Sequence, residues 1–167
     1  MGRVGRGFTL FEFAVAITIV SVLAAVLLNR LTHYQELAEK AAMEYTLRTV
    51  KTGLQIRLAE LIVTQRQAQA VRLETEDPFG WLDDKPPNYG GRYRSPPEAG
   101  TWYFDAGARQ LVYVVKTGDR LEIDAGGPAG EIRFQPRLLK DPIRAGGREI
   151  LSVTGVTLLP VRGYRWR

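Results

Sequence analysis

The sequence predicts an α+β protein: a long N-terminal α-helix, membrane anchor first and spine second, packed on a mostly antiparallel β-sheet of four to five strands. Three observations predict it. An apolar run from Phe8 to Leu28 is broken by a single ionisable residue, Glu12. Apolar residues then recur at three- and four-residue steps as far as Ile62, and no proline occurs between Met1 and Glu76. Beyond Gly100 the helical period gives way to short β-rich runs separated by glycine-containing turns. The chain accordingly divides into a leader (1–7), an apolar helix (8–29), the continuation of that helix (30–76), and a loop with a β-sheet (77–167).

Residues Phe8–Leu28 number 21, and about 20 apolar residues cross the hydrocarbon core of a bilayer. A secretory signal peptide has a shorter core followed by a small-residue cleavage site. Asn29-Arg30-Leu31 offers no such site. Arg3 and Arg6 precede the run. Basic residues stay on the cytoplasmic side, so the bulk of the chain is expected outside the cytoplasm. A carboxylate within such a segment is costly and marks a functional site. Its expected partner is an amine, because a charge pair in low dielectric interacts far more strongly than in water, whereas either charge alone bears a large desolvation cost.

Arg6-Gly7-Phe8-Thr9-Leu10-Phe11-Glu12, followed by the apolar run, resembles the type IV prepilin signal. That signal is shared by type IV pilins, minor pilins and the pseudopilins of type II secretion. The likeness is close over residues 1–30 and architectural beyond them. It implies that a prepilin peptidase cuts between Gly7 and Phe8 and methylates the new N-terminus. It also implies that Glu12 pairs with the α-amine of Phe8, its own or a neighbour's, and so sets the register of assembly. The implied partners are that peptidase, other pilin or pseudopilin subunits and the inner membrane. The implied place is the bacterial inner membrane, with the leader cytoplasmic and the head periplasmic, and afterwards the filament. The implied role is structural: a subunit polymerised through its N-terminal helix, with no catalysis and no cofactor.

The chain departs from many major pilins in lacking a proline near the end of the apolar run, where Ala24 to Asn29 stand, and it has no cysteine for a C-terminal disulfide. By elimination the resemblance points to a minor pilin or minor pseudopilin. The alternative is a single-pass anchored periplasmic binding module never built into a filament. That reading explains the length and the flanking charges. It does not explain Glu12 or a leader that stops at Gly7.

Residues 31–75 read as one helix continuing the apolar segment. Leu47, Val50, Leu54, Leu58, Leu61 and Ile62 supply its apolar face. Glu39, Lys40, Glu44, Arg48, Lys51, Arg57 and Arg66 are expected on the solvent side. Gly53 costs about 1 kcal/mol against alanine in a helix interior, which suggests a point of close packing. Continuity from Phe8 to about Val71 is expected. Asp77-Pro78 ends the helical region, because proline disfavours helix at the preceding residue.

Residues 78–91 are rich in proline, glycine and aromatics. They read as an ordered loop over the helix–sheet seam, since Phe79, Trp81, Leu82 and Tyr89 are too apolar to stay solvated. Thr101–Asp105 and Arg109–Lys116 flank a short glycine-containing loop and read as a hairpin. Leu121–Ile123 is a short candidate strand. Glu131–Gln135 alternates with period two, the pattern of a half-buried strand. Glu149–Thr154 and Val156–Leu159 read as a final strand, or a strand pair broken at Gly155. The apolar stripe of the long helix is the expected cover for the sheet.

Other chemistry is not supported by the residue pattern. The formal net charge is +5, of which two charges leave with Arg3 and Arg6 if the leader is removed. The remaining excess is weak grounds for nucleic-acid binding. Basic residues interleave with aromatics in Arg162-Gly163-Tyr164-Arg165-Trp166-Arg167, a footprint of single-stranded nucleic-acid binding. Six residues at a chain end are better read as an edge strand or tail packing Tyr164 and Trp166, so nucleic acid is not expected as a partner. His33 stands alone and lacks co-ligands for a metal. Glu74, Glu76, Asp77, Asp83 and Asp84 are split by an apolar stretch and lack the alternating spacing of a calcium loop. No metal site is expected.

Overall fold

A computed structural model describes residues 9–124, 126, 128, 130–145 and 148–166. The chain divides into two compact units, Met1–Ala38 and Glu39–Arg167. The elements are helix α1 (Leu10–Val63), a 3-10 turn (Gln67–Val71), a one-turn helix α2 (Arg72–Thr75) and a second 3-10 turn (Pro78–Trp81). Among the described residues seven strands follow: β1 (Tyr89–Arg92), β2 (Thr101–Asp105), β3 (Gln110–Val114), β4 (Leu121–Ile123), β5 (Glu131–Ala145), β6 (Arg148–Pro160) and β7 (Tyr164–Trp166). The fold is α+β, with a long N-terminal helix and a five-stranded, mostly antiparallel sheet.

The first unit is the start of α1, and its apolar side chains, Leu10, Phe11, Val20, Leu27 and Leu28 among them, are exposed. This stretch is long and apolar enough to cross a membrane. Thr18 lies inside it and satisfies its hydroxyl locally by donating to the Ala14 carbonyl at 2.8 Å.

In the second unit the sheet order is β1-β2-β3-β5-β6, and only the β1–β2 pair is parallel. Strand alternation sorts the side chains onto two faces. Trp102, Tyr113 and Ile132 form one cross-strand row, and Phe104, Leu111 and Phe134 form the next. Both rows meet Met43, Val50, Leu54, Leu58 and Leu61 of α1 in a single core. Burying each such side chain contributes about 1.5–3 kcal/mol. Tyr103, Val112 and Val114 face the other way, and Tyr93 packs on them.

Several expectations for the helix need correction. α1 ends at Val63, not near Val71. Gln65 takes a left-handed conformation at φ 57°. Its N–H donates to the Ile62 carbonyl at 3.1 Å, and the Arg66 N–H donates to the Leu61 carbonyl at 2.7 Å. That pair of bonds is a Schellman stop, which usually carries glycine or asparagine at the left-handed residue. Gln65 gave no such signal. The reversal turns Ala70 and Leu73 into the core. Ile62 is exposed, one position past the buried stripe. Glu39 and Lys40, expected in solvent, turn toward the sheet. Arg57 is partly covered, its guanidinium 5.0 Å from the Trp81 ring centroid.

The loop after α2 is ordered, as its aromatics require. Asp77 caps the second 3-10 turn by accepting from the Phe79 N–H at 3.0 Å, and its other oxygen accepts from the Tyr89 hydroxyl. Phe79 is fully buried, 4.6 Å from Tyr89 and 5.9 Å from Trp102 between ring centroids. Gly53 is the close-packing point: a Cβ there would stand 2.4 Å from Leu82 Cδ2.

The hairpin β2–β3 and the short β4 fall where the sequence places them. β4 leaves the main sheet and pairs with β7. β1, inside the loop by sequence, pairs in parallel with β2, and a Cβ on Gly90 would meet Tyr103 Cε1 at 2.5 Å. β5 runs far beyond Gln135. The last strand is single, with a register irregularity opposite Leu139 that leaves Thr154 unpaired between Val153 and Gly155.

Candidate functional site

Of the three residues singled out by sequence, Gly7 and Phe8 lie outside the described residues. Glu12 is described, and its surroundings correct one expectation. Its own chain was expected to offer only the α-amine of Phe8. Instead Glu12 Oε2 accepts from the Thr9 N–H at 2.9 Å and from Thr9 Oγ1 at 2.9 Å. In return the Glu12 N–H donates to Thr9 Oγ1 at 3.2 Å. Thr9 precedes the first helical residue and Glu12 is the third, so the two form a capping box that satisfies donors the helix leaves unpaired. The carboxylate also sits where the helix dipole favours negative charge. The Thr-x-x-Glu spacing was legible in the sequence and would have pointed to the cap.

The candidate site is therefore the N-terminal end of α1. It presents one hydrogen-bonded carboxylate at the head of a helix whose following turns expose mostly apolar side chains, interspersed with Ser21 and the self-satisfied Thr18. Such a surface can partition into lipid or pack against other apolar helices.

Several ionisable residues of the second unit hold structural roles. Glu39 of α1 accepts from Tyr113 Oη at 2.9 Å, the Lys116 N–H at 2.6 Å, the Thr117 N–H at 2.8 Å and the Thr117 hydroxyl. Burial, and then this bond to Glu39, raises the Tyr113 phenol above its ordinary pKa. Lys40 donates to the Trp166 carbonyl at 2.6 Å. On the far face of the sheet Arg133 bridges Glu131 at 2.8 Å and Asp105 at 3.0 Å, and Tyr93 Oη donates to Glu131 at 2.5 Å. The Ala108 N–H heads the donors that hold the Asp105 carboxyl below its usual range. Sequence reasoning missed both clusters, because their members meet only across strands.

The acidic run is likewise dispersed. Glu74 accepts from the Leu138 N–H at 2.8 Å, Glu76 pairs with Arg72 at 2.6 Å and Asp77 caps its turn. Among the described residues no three His, Asp or Glu side chains converge as metal ligands. A cleft of about 810 Å³ between α1 and residues 80–84 is lined by Arg48, Arg57, Glu60, Trp81, Asp83 and Asp84. Arg57 and Glu60 in it neutralise each other at 2.6 Å. At the C-terminus Trp166 is buried and Tyr164 packs edge-on against Phe134 at 5.9 Å. Trp166 belongs to the core, and Tyr164 is half-buried against it. No family model, curated protein or solved structure matches this chain.

Proposed function

We propose that the chain is a structural subunit of a type IV pilus or type II secretion-like filament, processed by a prepilin peptidase and polymerised through its N-terminal helix. A minor pilin or minor pseudopilin is the subtype we favour. One observation carries the reading: Arg6-Gly7-Phe8-Thr9-Leu10-Phe11-Glu12 runs directly into a helix whose apolar side chains are exposed. An aqueous environment does not tolerate that surface, and lipid followed by a bundle of like helices would cover it. Cleavage after Gly7 would leave Glu12 as the fifth residue, one helical turn from a free α-amine. The partners are then a prepilin peptidase, further subunits and the inner membrane, with the head outside the cytoplasm.

The test is the mass and N-terminal sequence of the chain extracted from membranes of cells that hold the peptidase. The expected terminus is N-methylated Phe8. An intact Met1, or a terminus elsewhere, would refute the reading.

A second reading is favoured by the Thr9–Glu12 capping box. An anchored binding module, never built into a filament, would need Glu12 only as a helix cap. Glu12→Gln separates the two, because glutamine also completes a capping box but brings no charge. The filament reading expects loss of co-purification with other subunits while cleavage continues. The module reading expects no change.

A further inference from the structure

The two long edges of the β5–β6 ribbon are treated very differently. β3 pairs with β5 only as far as Phe134, so from Gln135 onward the ribbon is two-stranded. The Leu138 N–H donates to Glu74 of α2, so it points away from β6. Backbone direction alternates along a strand, so Pro136 and Pro142 also present their nitrogens outward. Those two residues have no N–H to present. The outer edge of β5 is thus blocked at Pro136, occupied at Leu138 and blocked again at Pro142. Arg137, Lys140 and Arg144 add the basic residues that discourage edge pairing.

The outer edge of β6 has no such protection over its distal part. β6 is the last strand in the sheet order. No charged residue occurs from Ile150 to Val161, and the only proline there is Pro160. Its one irregularity, at Thr154, is settled internally, since the Thr154 hydroxyl donates to Asp141 at 2.8 Å. Leu151 is 71% exposed and Ile150 48%. Leu151 stands opposite Pro142 and Val153 opposite Lys140. Facing residues of a non-hydrogen-bonded pair point their polar groups apart. Glu149, Leu151 and Val153 therefore aim N–H and C=O groups outward.

We propose that this edge is a self-association site: residues 149–153 pair antiparallel with the same residues of a second copy, about a two-fold axis at Leu151. The register follows from direction. Only odd-numbered residues of this stretch offer outward groups, and the pairing that uses all three of them on both copies sets Leu151 opposite Leu151 of the second copy and Glu149 opposite Val153. No like charges then stand opposite, which antiparallel pairing requires. The basic β5 strands of the two copies end three strand spacings apart, about 14 Å at ~4.8 Å each. That exceeds the ~8 Å screening length at physiological salt. A second copy is the occupant because a partner strand must itself be free, unblocked and uncharged along its edge. Among the described strands β5 is blocked, β1 holds two glycines in four residues, and β4 and β7 are three residues each. The two five-stranded sheets would join into one continuous sheet, closed by symmetry at two copies.

The chain has no cysteine, so single cysteines report the register directly. Hydrogen-bonded partners lie about 5.5 Å apart between Cα atoms, within disulfide range. Full-length protein in detergent micelles should form a disulfide dimer as Leu151→Cys. Ile150→Cys and Ser152→Cys should cross-link when mixed, since residue 150 faces residue 152, and neither should do so alone. Light scattering should give a dimer for the wild type and for Leu151→Thr, which keeps the N–H. Leu151→Pro should give a monomer. Its fold should survive, because the lost N–H points outward; circular dichroism checks this, and the cysteine series decides alone if it does not. A monomeric wild type would overturn the proposal. A folded Leu151→Pro that stays dimeric would place the association in α1 instead. Equal self-cross-linking at residues 150, 151 and 152 would mean no fixed register and would equally overturn it.

Discussion

Removing the Glu39 carboxylate should loosen α1 from the sheet. The perturbation is Glu39→Ala in the fragment 31–167. Four donors lose their acceptor: Tyr113 Oη, two backbone N–H groups and the Thr117 hydroxyl. They will not lose equally. Tyr113 is only 3% exposed, and an orphaned buried hydroxyl costs about 1–3 kcal/mol. Lys116 lies at the surface and Thr117 is half-buried, so water replaces much of what their groups lose, leaving roughly 0.5 kcal/mol each. With three such groups the sum is roughly 2.5–4.5 kcal/mol. For a domain of this size 1 kcal/mol moves the melting temperature by about 3–5 °C. Thermal unfolding followed by circular dichroism should therefore shift down by roughly 8–22 °C. A double-mutant cycle with Tyr113→Phe isolates the buried bond. The phenylalanine removes the orphan, so the two changes together should cost about 1–2 kcal/mol less than their sum. A melting temperature within about 2 °C of wild type for Glu39→Ala, or strict additivity with Tyr113→Phe, would refute the reasoning.

Three further outcomes are expected. Leu54→Asp and Leu58→Asp place an unpaired charge in the helix–sheet core and should cost at least about 3 kcal/mol, whereas Gln55→Asp on the exposed face should stay within about 0.5 kcal/mol by urea titration. Gln65→Gly should stabilise the fragment by roughly 0.5–1 kcal/mol, because glycine takes the left-handed stop without strain, and Gln65→Val should destabilise it. Burial first raises the phenols of Tyr89, Tyr113 and Tyr164, and the bond to Glu131 first raises that of Tyr93. A tyrosine in the unfolded chain ionises near pH ~10, so the folded state holds these protons longer. That stability is complete below about pH 10 and is lost as pH rises toward the folded values. Phenolate absorbance from Tyr89 and Tyr113, whose protons are held most strongly, should therefore appear together with the loss of the circular dichroism signal; their titration in a fully folded protein would contradict the assignment.

Features that depend on local order along the chain were legible in the residues alone. Periodicity identified the apolar first turns of α1 and its buried stripe through Val50, Leu54, Leu58 and Leu61, because burial against a single partner imposes a 3.6-residue repeat. β-rich runs between glycine-containing turns located β2, β3 and β4, and alternation with a repeat of two located the start of β5. Aromatic crowding foretold that the loop around Phe79 is ordered. The Thr9–Glu12 cap was readable too, since both partners lie within one turn.

The features that local order does not reveal involve partners distant in sequence. Glu39 and Lys40 look like solvent residues until Tyr113, Thr117 and the Trp166 carbonyl are brought to them. The stop at Gln65 carries no glycine, and it serves to return Ala70 and Leu73 to the core. β1 hides among glycines because its pairing is supplied wholly by β2. Prolines at 136 and 142 argue against a long β5 until the direction of the Leu138 N–H places them on the side that needs no donor. The unguarded edge of β6 appears only when the sheet order shows which strand comes last. In each case a hydrogen bond or a covered face comes from a residue far along the chain, and local sequence holds no record of the partner that tertiary packing supplies.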